Sequence, residues 1–366
     1  MSAIISIAKV PAPYCYTSHE VSLWMKQVFR EESTFRKFEY LLRESHIKSK
    51  YSVLPDFSLN EKQPMLFLPR NCCYKDPGTR ERMKIFNREA IKLATEAAQN
   101  CILNSPFQKE EITHIITVTC TGLSAPGLEI QISKTLDLPK ETHLMTVNFM
   151  GCYAAFHALK LADIICKAVP SSKVLIICVE LCTIHFKSTS NNDNLLSTLL
   201  FSDGAAAVMV TNENVDGVSL QLSGFSSLLI PEGEKEMGWE PGDNGFEMRL
   251  TAKVPAYIQQ NMQQAFHSLL QKVKVKPEQI GYYAIHPGGK AILKAFSKAL
   301  ELREEQLDSS FGVLSQFGNM SSPTVLFVLE DIWQKFSNST RTEASVYAAA
   351  FGPGLTIESG LWNIKK

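Results

Sequence analysis

Residues 144–168 read LMTVNFMGCYAAFHALKLADIICKA, and this stretch decides the fold. Its first six residues, 144–149, are mostly apolar or β-branched and suit a strand. Gly151-Cys152 breaks that run. From residue 153 to 168 the apolar positions (Ala154, Ala155, Ala158, Leu159, Leu161, Ala162, Ile165) cover more than one helical face, which predicts a largely buried helix. A strand turning directly into a buried helix is the building unit of an α/β fold.

Similar units flank it. Residues 113–119, 173–179 and 204–210 read as further buried strands. In the second half an amphipathic helix covers 254–273, starting near Pro255. A short strand over 282–285 ends at His286-Pro287-Gly288-Gly289, and a helix continues to about Leu302. Phe317-Gly318-Asn319 is a turn that opens a helix over 320–336, and strands over 344–349 and 355–359 follow. Gly151-Cys152 and Gly318-Asn319 are each a glycine turn feeding a helix start. This weak internal repeat predicts a pseudo-twofold plan, with one half over 1–215 carrying the Cys and another over 216–366 carrying the His and Asn.

The chain has 366 residues, more than a typical single domain, and is 45% hydrophobic and 20% charged, which suits a large core and excludes a disordered chain. Its 37 basic and 37 acidic residues cancel. Nothing in that balance favours nucleic acid or an anionic membrane, so an anionic ligand must be met by a local cluster. The nine cysteines are odd in number and irregularly spaced, which predicts reduced thiols. There is no C-x-x-C pair, and Cys72–Cys73 are too close for a zinc knuckle, so no metal is expected. Residues 1–16 lack the apolar core of a signal peptide. The longest apolar run, 174–182, is interrupted by Glu180 and too short to cross a bilayer. A cytoplasmic protein without a membrane span is the expectation.

Three residues could do chemistry together. Cys152 stands at a strand-to-helix turn, where the helix dipole and unpaired N–H groups favour a thiolate, a good nucleophile toward thioesters. The alternative is a small hydrophobe filling a tight turn. His286 follows a buried strand at a sharp Pro-Gly-Gly turn, a place for a catalytic side chain or for a structural cap. Asn319 after Gly318 is a natural helix N-cap, or an amide that donates to a developing oxyanion. Cys, His and Asn together match a decarboxylative Claisen site. Loss of CO₂ from a malonyl thioester makes the carbanion, and the His and Asn donors hold the enolate oxygen.

Several segments carry a specific resemblance: Gly151-Cys152-Tyr153-Ala154-Ala155, Ile285-His286-Pro287-Gly288-Gly289, Gly318-Asn319-Met320-Ser321-Ser322 and Phe351-Gly352-Pro353-Gly354-Leu355-Thr356. Leu200-Phe201-Ser202-Asp203-Gly204 and Thr121-Gly122 through Pro126-Gly127 add to them. In order along nearly the whole chain, they resemble the signature segments of type III polyketide synthases, the chalcone synthase family. The resemblance implies a thiolase-like duplicated αβαβα layered core working as a homodimer. It also implies acyl-CoA and malonyl-CoA as substrates, with no further cofactor and no metal. By motif position it makes Cys152 the nucleophile, and His286 and Asn319 the decarboxylation and oxyanion residues. Phe201 matches a gatekeeper phenylalanine, and Gly352-Pro353 shape the cavity floor.

The departures from the plant enzymes are informative. Met248 takes the place of a second gatekeeper. Lys37 matches one of three coenzyme A cations, whereas Tyr40 and Glu44 occupy the other two positions; Lys37, Arg43 and Lys48, with nearby Arg36 and Lys50, are the candidate phosphate contacts or else a solvated helix face. Thr121 matches a cavity hydroxyl, while Cys120, Cys182 and His185 replace threonines, and Ser321 follows the Asn. Residues 180–186 resemble microbial members that take fatty acyl starters, although bulky Phe186 could redirect such a tunnel. Ala125 stands where plant enzymes send a methionine into the partner's cavity. The resemblance thus implies iterative condensation on a fatty acyl starter and cyclisation to a pyrone or resorcinol. A small or aromatic starter, a single-condensation ketoacyl synthase, and an inactive scaffold are the alternatives.

Overall fold

The computed structural model describes residues 1–29, 31–58, 65–67 and 76–366, and Cys72 and Cys73 lie outside the described residues. Among the described residues, nine strands form one mixed sheet. In sheet order they are Ile280–Ile285, Glu343–Gly352, Thr356–Lys365, Ser219–Leu229, Ala3–Pro11, Asp203–Thr211, Lys173–Leu181, His114–Thr119 and His143–Asn148. The pairs toward either end are parallel, and the strands between them are antiparallel.

Lys173–Leu181 shows why the strands are apolar on both sides. Val174, Ile176 and Cys178 enter one core cluster, built around helices Ala154–Ala168 and Thr324–Ser337. Leu175, Ile177 and Val179 enter the other, which contains helices Thr79–Leu103 and Val254–Val273. The alternation follows from the two-residue repeat of a strand, and a strand covered on both faces needs hydrophobic residues throughout. Each fully buried side chain of this kind contributes roughly 1.5–3 kcal/mol.

The first cluster draws Ile116 and Val118 from one end of the sheet and Ala284, Val346 and Ala348 from the other. The sheet therefore wraps helices Ala154–Ala168 and Thr324–Ser337 between its two arms, and Thr79–Leu103 and Val254–Val273 cover the outer faces. The layers run helix, sheet, helix, sheet, helix, the thiolase-like α/β arrangement expected.

Two local differences matter for function. The helix expected over 320–336 begins only at Thr324. Pro323 disfavours a helical conformation in the residue before it, and Ser321 adopts φ 60°. Asn319 is therefore not a helix cap. A hairpin that sequence reading did not anticipate, Met237–Gly242 with Gly245–Leu250, places Trp239 opposite Met248 and Met237 opposite Leu250.

Candidate active site

Gly151 sits at φ +74°, and a Cβ there would lie 2.5 Å from Pro353 Cδ. Glycine is required, and the turn it makes puts Cys152 in a short 3-10 segment leading into helix Ala154–Ala168. Gly318 sits at φ +69°, where a Cβ would meet Ser202 Oγ at 2.7 Å and the Leu200 carbonyl at 3.0 Å. After it, the Asn319 N–H donates to the Leu200 carbonyl at 2.8 Å, and the Ser202 N–H donates to the Asn319 carbonyl at 2.9 Å. The backbone on either side of Phe201 thus clamps Asn319. Its Oδ1 accepts the Ser321 N–H at 2.8 Å and the Thr324 hydroxyl at 3.4 Å, which leaves the amide NH₂ to donate. The Asn319 and Ser321 side chains both hydrogen-bond the Cys152 thiol.

His286 follows strand Ile280–Ile285, and its N–H donates to the Ala349 carbonyl at 2.8 Å. The side chain is fully buried, and neither ring nitrogen has a hydrogen-bond partner among the described residues. It lines the same cavity as Cys152 and Asn319, a chamber of about 440 Å³.

Burial pushes the Cys152 thiol up to about 11, against the pull of the Ser321 and Asn319 hydrogen bonds, and pulls His286 down to about 3. The thiolate that the helix start and its unpaired N–H groups were expected to favour does not prevail, because burial is the larger effect. A helix start is worth about 0.3–1 kcal/mol to a nearby anion, less than the about 1.4 kcal/mol of one pKa unit. Desolvation outweighs it. Both groups rest neutral, because burial disfavours the charged form of each.

The structure brings Cys120, Thr121, Cys182, His185, Phe186, Phe201, Met248, Ser321 and Pro353 into the lining of this cavity. Gly352 does not line it; it lies against the Tyr153 ring, 2.3 Å from where a Cβ would project. Phe186 is buried with its ring edge-on to Trp24 and Phe67 at 5.0 and 5.2 Å, which orients it among these aromatics. Ala125 is exposed and outside the lining. Arg43 and Lys48 line a separate concavity of about 640 Å³, because Arg43 projects from helix Glu32–Glu44 away from Leu41 and Glu44, which face the main cavity. Lys37 is outside both linings and bonds the Asn192 side chain.

His185 presents no free nitrogen to the cavity. Its Nδ1 accepts the Phe246 N–H at 3.0 Å, so Nε2 carries the proton and donates to the Thr121 carbonyl at 2.7 Å. Burial pulls it down to about 3, so it stays neutral. Its ring stacks on Phe246 at 4.3 Å and meets Trp239 edge-on at 5.4 Å, while Trp239 Nε1–H donates to the Cys120 carbonyl at 2.6 Å. One imidazole and one indole thus fasten the hairpin to the cavity floor.

Glu180 is a residue whose role sequence reading missed, treating it only as a break in an apolar run. It is fully buried, and burial raises its pKa. The carboxylate accepts the Cys120 and Thr121 N–H groups at 2.9 and 3.1 Å and the Thr121 and Ser322 hydroxyls, both at 2.7 Å. The Cys120 thiol reaches it at 3.3 Å and contacts Ser321 Oγ at 3.4 Å. A carboxylate inside a wholly buried strand was itself the signal, because a buried charge must be met by several donors.

A layered α/β enzyme whose half-buried thiol, buried imidazole and buried amide meet around one apolar chamber is the class that fold and site define. Residues 2–214 match the N-terminal domain of the chalcone and stilbene synthases, and residues 221–363 match their C-terminal domain. The chain belongs to this family of type III polyketide synthases, which are acyltransferases. It is 32% identical over 296 residues to an alpha-pyrone synthesis polyketide synthase-like protein of Mycobacterium tuberculosis, covering 79% of this chain and 75% of that protein. The crystal structure of polyketide synthase PKS-I from the brown alga Ectocarpus siliculosus superposes with a TM-score of 0.93 at 27% identity, covering 99% of this chain and 97% of that one. The fold is shared by the C-terminal type III domain of a type I/III hybrid from Dictyostelium, with a TM-score of 0.90 at 24% identity, covering 100% and 99%. Among the described residues no cluster of His, Cys, Asp and Glu could hold a metal, and no helix is long and apolar enough to cross a membrane.

Proposed function

We propose that the enzyme extends a fatty acyl starter, held as a thioester on Cys152, by repeated decarboxylative condensation with malonyl-CoA, and that the product cyclises to a pyrone or resorcinol. The observation that carries this reading is His286: a fully buried imidazole with no partner at either nitrogen among the described residues, lining the chamber of Cys152 and Asn319. Leaving a buried donor unmade costs about 1–3 kcal/mol, so the imidazole is suited to a group that arrives with the substrate.

In loading, Cys152 Sγ attacks the acyl-CoA carbonyl while its proton passes to His286. The coenzyme A thiolate leaves and takes that proton back. The neutral pair avoids holding a buried charge until substrate is present. Malonyl-CoA then loses CO₂, and the enolate oxygen accepts hydrogen bonds from His286 and from the Asn319 NH₂. The enolate carbon attacks the Cys152 thioester, the tetrahedral oxyanion collapses, and the Cys152 thiolate departs from a chain two carbons longer.

The starter class rests on the lining: Leu196, Leu199, Met237, Met248, Leu250 and Val254 offer an apolar wall suited to an alkyl chain. The mycobacterial relative, named for alpha-pyrone synthesis, supports a pyrone. A homodimer belongs to the same proposal. Strand His143–Asn148 is a free sheet edge with exposed Leu144 and half-buried Met145 and Val147, apolar surface that a second copy would cover. The test is a product assay with malonyl-CoA and starters from acetyl-CoA to stearoyl-CoA, read by mass spectrometry. Long-chain pyrones or resorcinols are expected. Products from short or aromatic starters alone would overturn the fatty acyl assignment.

A further inference from the structure

Among the described residues, four charged side chains line the main cavity: Glu44, Lys50, Lys187 and Lys290. A coenzyme A thioester brings a pyrophosphate and a sugar phosphate to it, so the partners of these four decide where those anions can be met. Lys50 is buried and donates to the Thr198 carbonyl, with its charge offset by nearby Asp203. Lys187 is held by Glu247 at 2.7 Å. Lys290 is different. Its Nζ lies 3.8 Å from Glu44 Oε2, the longest and loosest ion pair of the lining. The two side chains are 26% and 63% exposed, so this part of the wall faces the opening.

Each partner is also at the wrong end of its own helix. Glu44 is the last residue of Glu32–Glu44, and Lys290 is the first of Lys290–Ala299. A carboxylate is disfavoured at a helix end and a cation at a helix start. Helix energetics therefore do not account for either residue, and their mutual attraction across solvent is worth about 0–1 kcal/mol. Of the other candidate cations, Arg43 and Lys48 open into a different concavity, Lys37 bonds the Asn192 side chain, and Arg36 pairs with Glu32.

We propose that Lys290 is the cation that meets the phosphate groups of the incoming coenzyme A thioester, and that Glu44 is the anion those phosphates displace. This rests on the thioester-loading reading of Cys152. The carboxylate acts as a resident competitor: it covers the cation in the empty enzyme and yields to a ligand of higher charge. Polyphosphate tails gain from the exchange, and thioesters without phosphate do not.

The experiment compares two donors of the same acyl group, decanoyl-CoA and the decanoyl thioester of N-acetylcysteamine, which has no phosphate. Acylation of Cys152 is followed by intact-protein mass spectrometry across donor concentration. The readout is the ratio of half-saturating concentrations, coenzyme A donor over truncated donor. Lys290→Ala raises that ratio about tenfold, the loss expected for one charge-assisted contact. Glu44→Gln lowers it, and Lys290→Arg holds it near the parent value. Added salt raises the parent's ratio more than that of Lys290→Ala. An unchanged ratio in Lys290→Ala, or a raised one in Glu44→Gln, overturns the proposal while the loading chemistry stands. Failure of the parent enzyme to take acyl groups from either donor sinks the loading reading itself.

Discussion

Gly151-Cys152 and Gly318-Asn319 look alike as sequence and share a left-handed glycine, yet the chain leaves them differently. After Gly151 it coils at once, through a 3-10 turn into helix Ala154–Ala168, so Cys152 stands on the rim of a buried helix. After Gly318 it stays extended, bridged to Phe201, and no helix begins until Thr324. The first turn offers one reactive atom. The second offers a donor whose orientation is set by four hydrogen bonds, two to its backbone and two to its amide oxygen. A nucleophile tolerates some play because it forms a bond to its target, whereas an oxyanion donor acts only at hydrogen-bonding distance.

The largest expected effect separates the two turns completely. Cys152→Ala abolishes the acyl-enzyme and all condensation, yet slow CO₂ release from malonyl-CoA persists; intact mass and CO₂ assays read the two. Persistent condensation would remove Cys152 from its assigned role. Asn319→Ala does the reverse: Cys152 still takes an acyl group, while CO₂ release falls about 10²–10³-fold, the usual loss for an oxyanion donor. Equal CO₂ release in parent and variant would show that the clamp has no bearing on decarboxylation.

A pH profile tests the first turn in the empty enzyme. With the thiol at about 11, the rate of iodoacetamide alkylation climbs about tenfold per pH unit up to pH 10. A plateau near neutrality would mean that His286 already holds the proton. Acid tests the imidazole facing both turns. Burial lowers His286 from 6.5 to about 3, so the unfolded chain binds the extra proton first. Stability is full above pH 6.5 and falls as the pH drops toward 3. His185 adds to the same fall, and urea midpoints at pH 7 and pH 5 should show it. Smallest are the glycines themselves. Gly318→Ala and Gly151→Ala each cost about 1–3 kcal/mol of strain, and Gly151 should lose more because its Cβ would meet the rigid Pro353 ring at 2.5 Å, whereas the nearest neighbour of Gly318 is the Ser202 hydroxyl at 2.7 Å, which can rotate away. Equal melting temperatures for the two variants would erase that distinction.

The difference between the turns was only partly legible in the sequence. Both glycines could be read, because a turn needing positive φ selects glycine. The late helix start could have been read from Pro323, which disfavours helix in the residue before it. The hairpin was legible too: Asn244-Gly245 separates segments with Met237 and Trp239 on one side and Phe246, Met248 and Leu250 on the other. Helix Val254–Val273 matched its expectation to the residue, since its pattern depends on local periodicity alone. The neutrality of Cys152 and His286 was not legible. It depends on burial created by Pro353, Phe201 and the hairpin, all distant in the chain. The placement of Arg43 and Lys48 was lost for a related reason, because sequence places cations near each other without saying which face of a helix turns to the cavity.

His185 carries a consequence for how such an enzyme counts. With Nδ1 and Nε2 both occupied, and Trp239 spending its only donor on Cys120, these two rings offer a growing chain no hydrogen bond to register against. In the proposed reaction the wall works as a ruler without markings. Chain growth in that reaction would stop when space runs out, so product length would form a distribution centred by volume, shifted by any residue that tilts the hairpin.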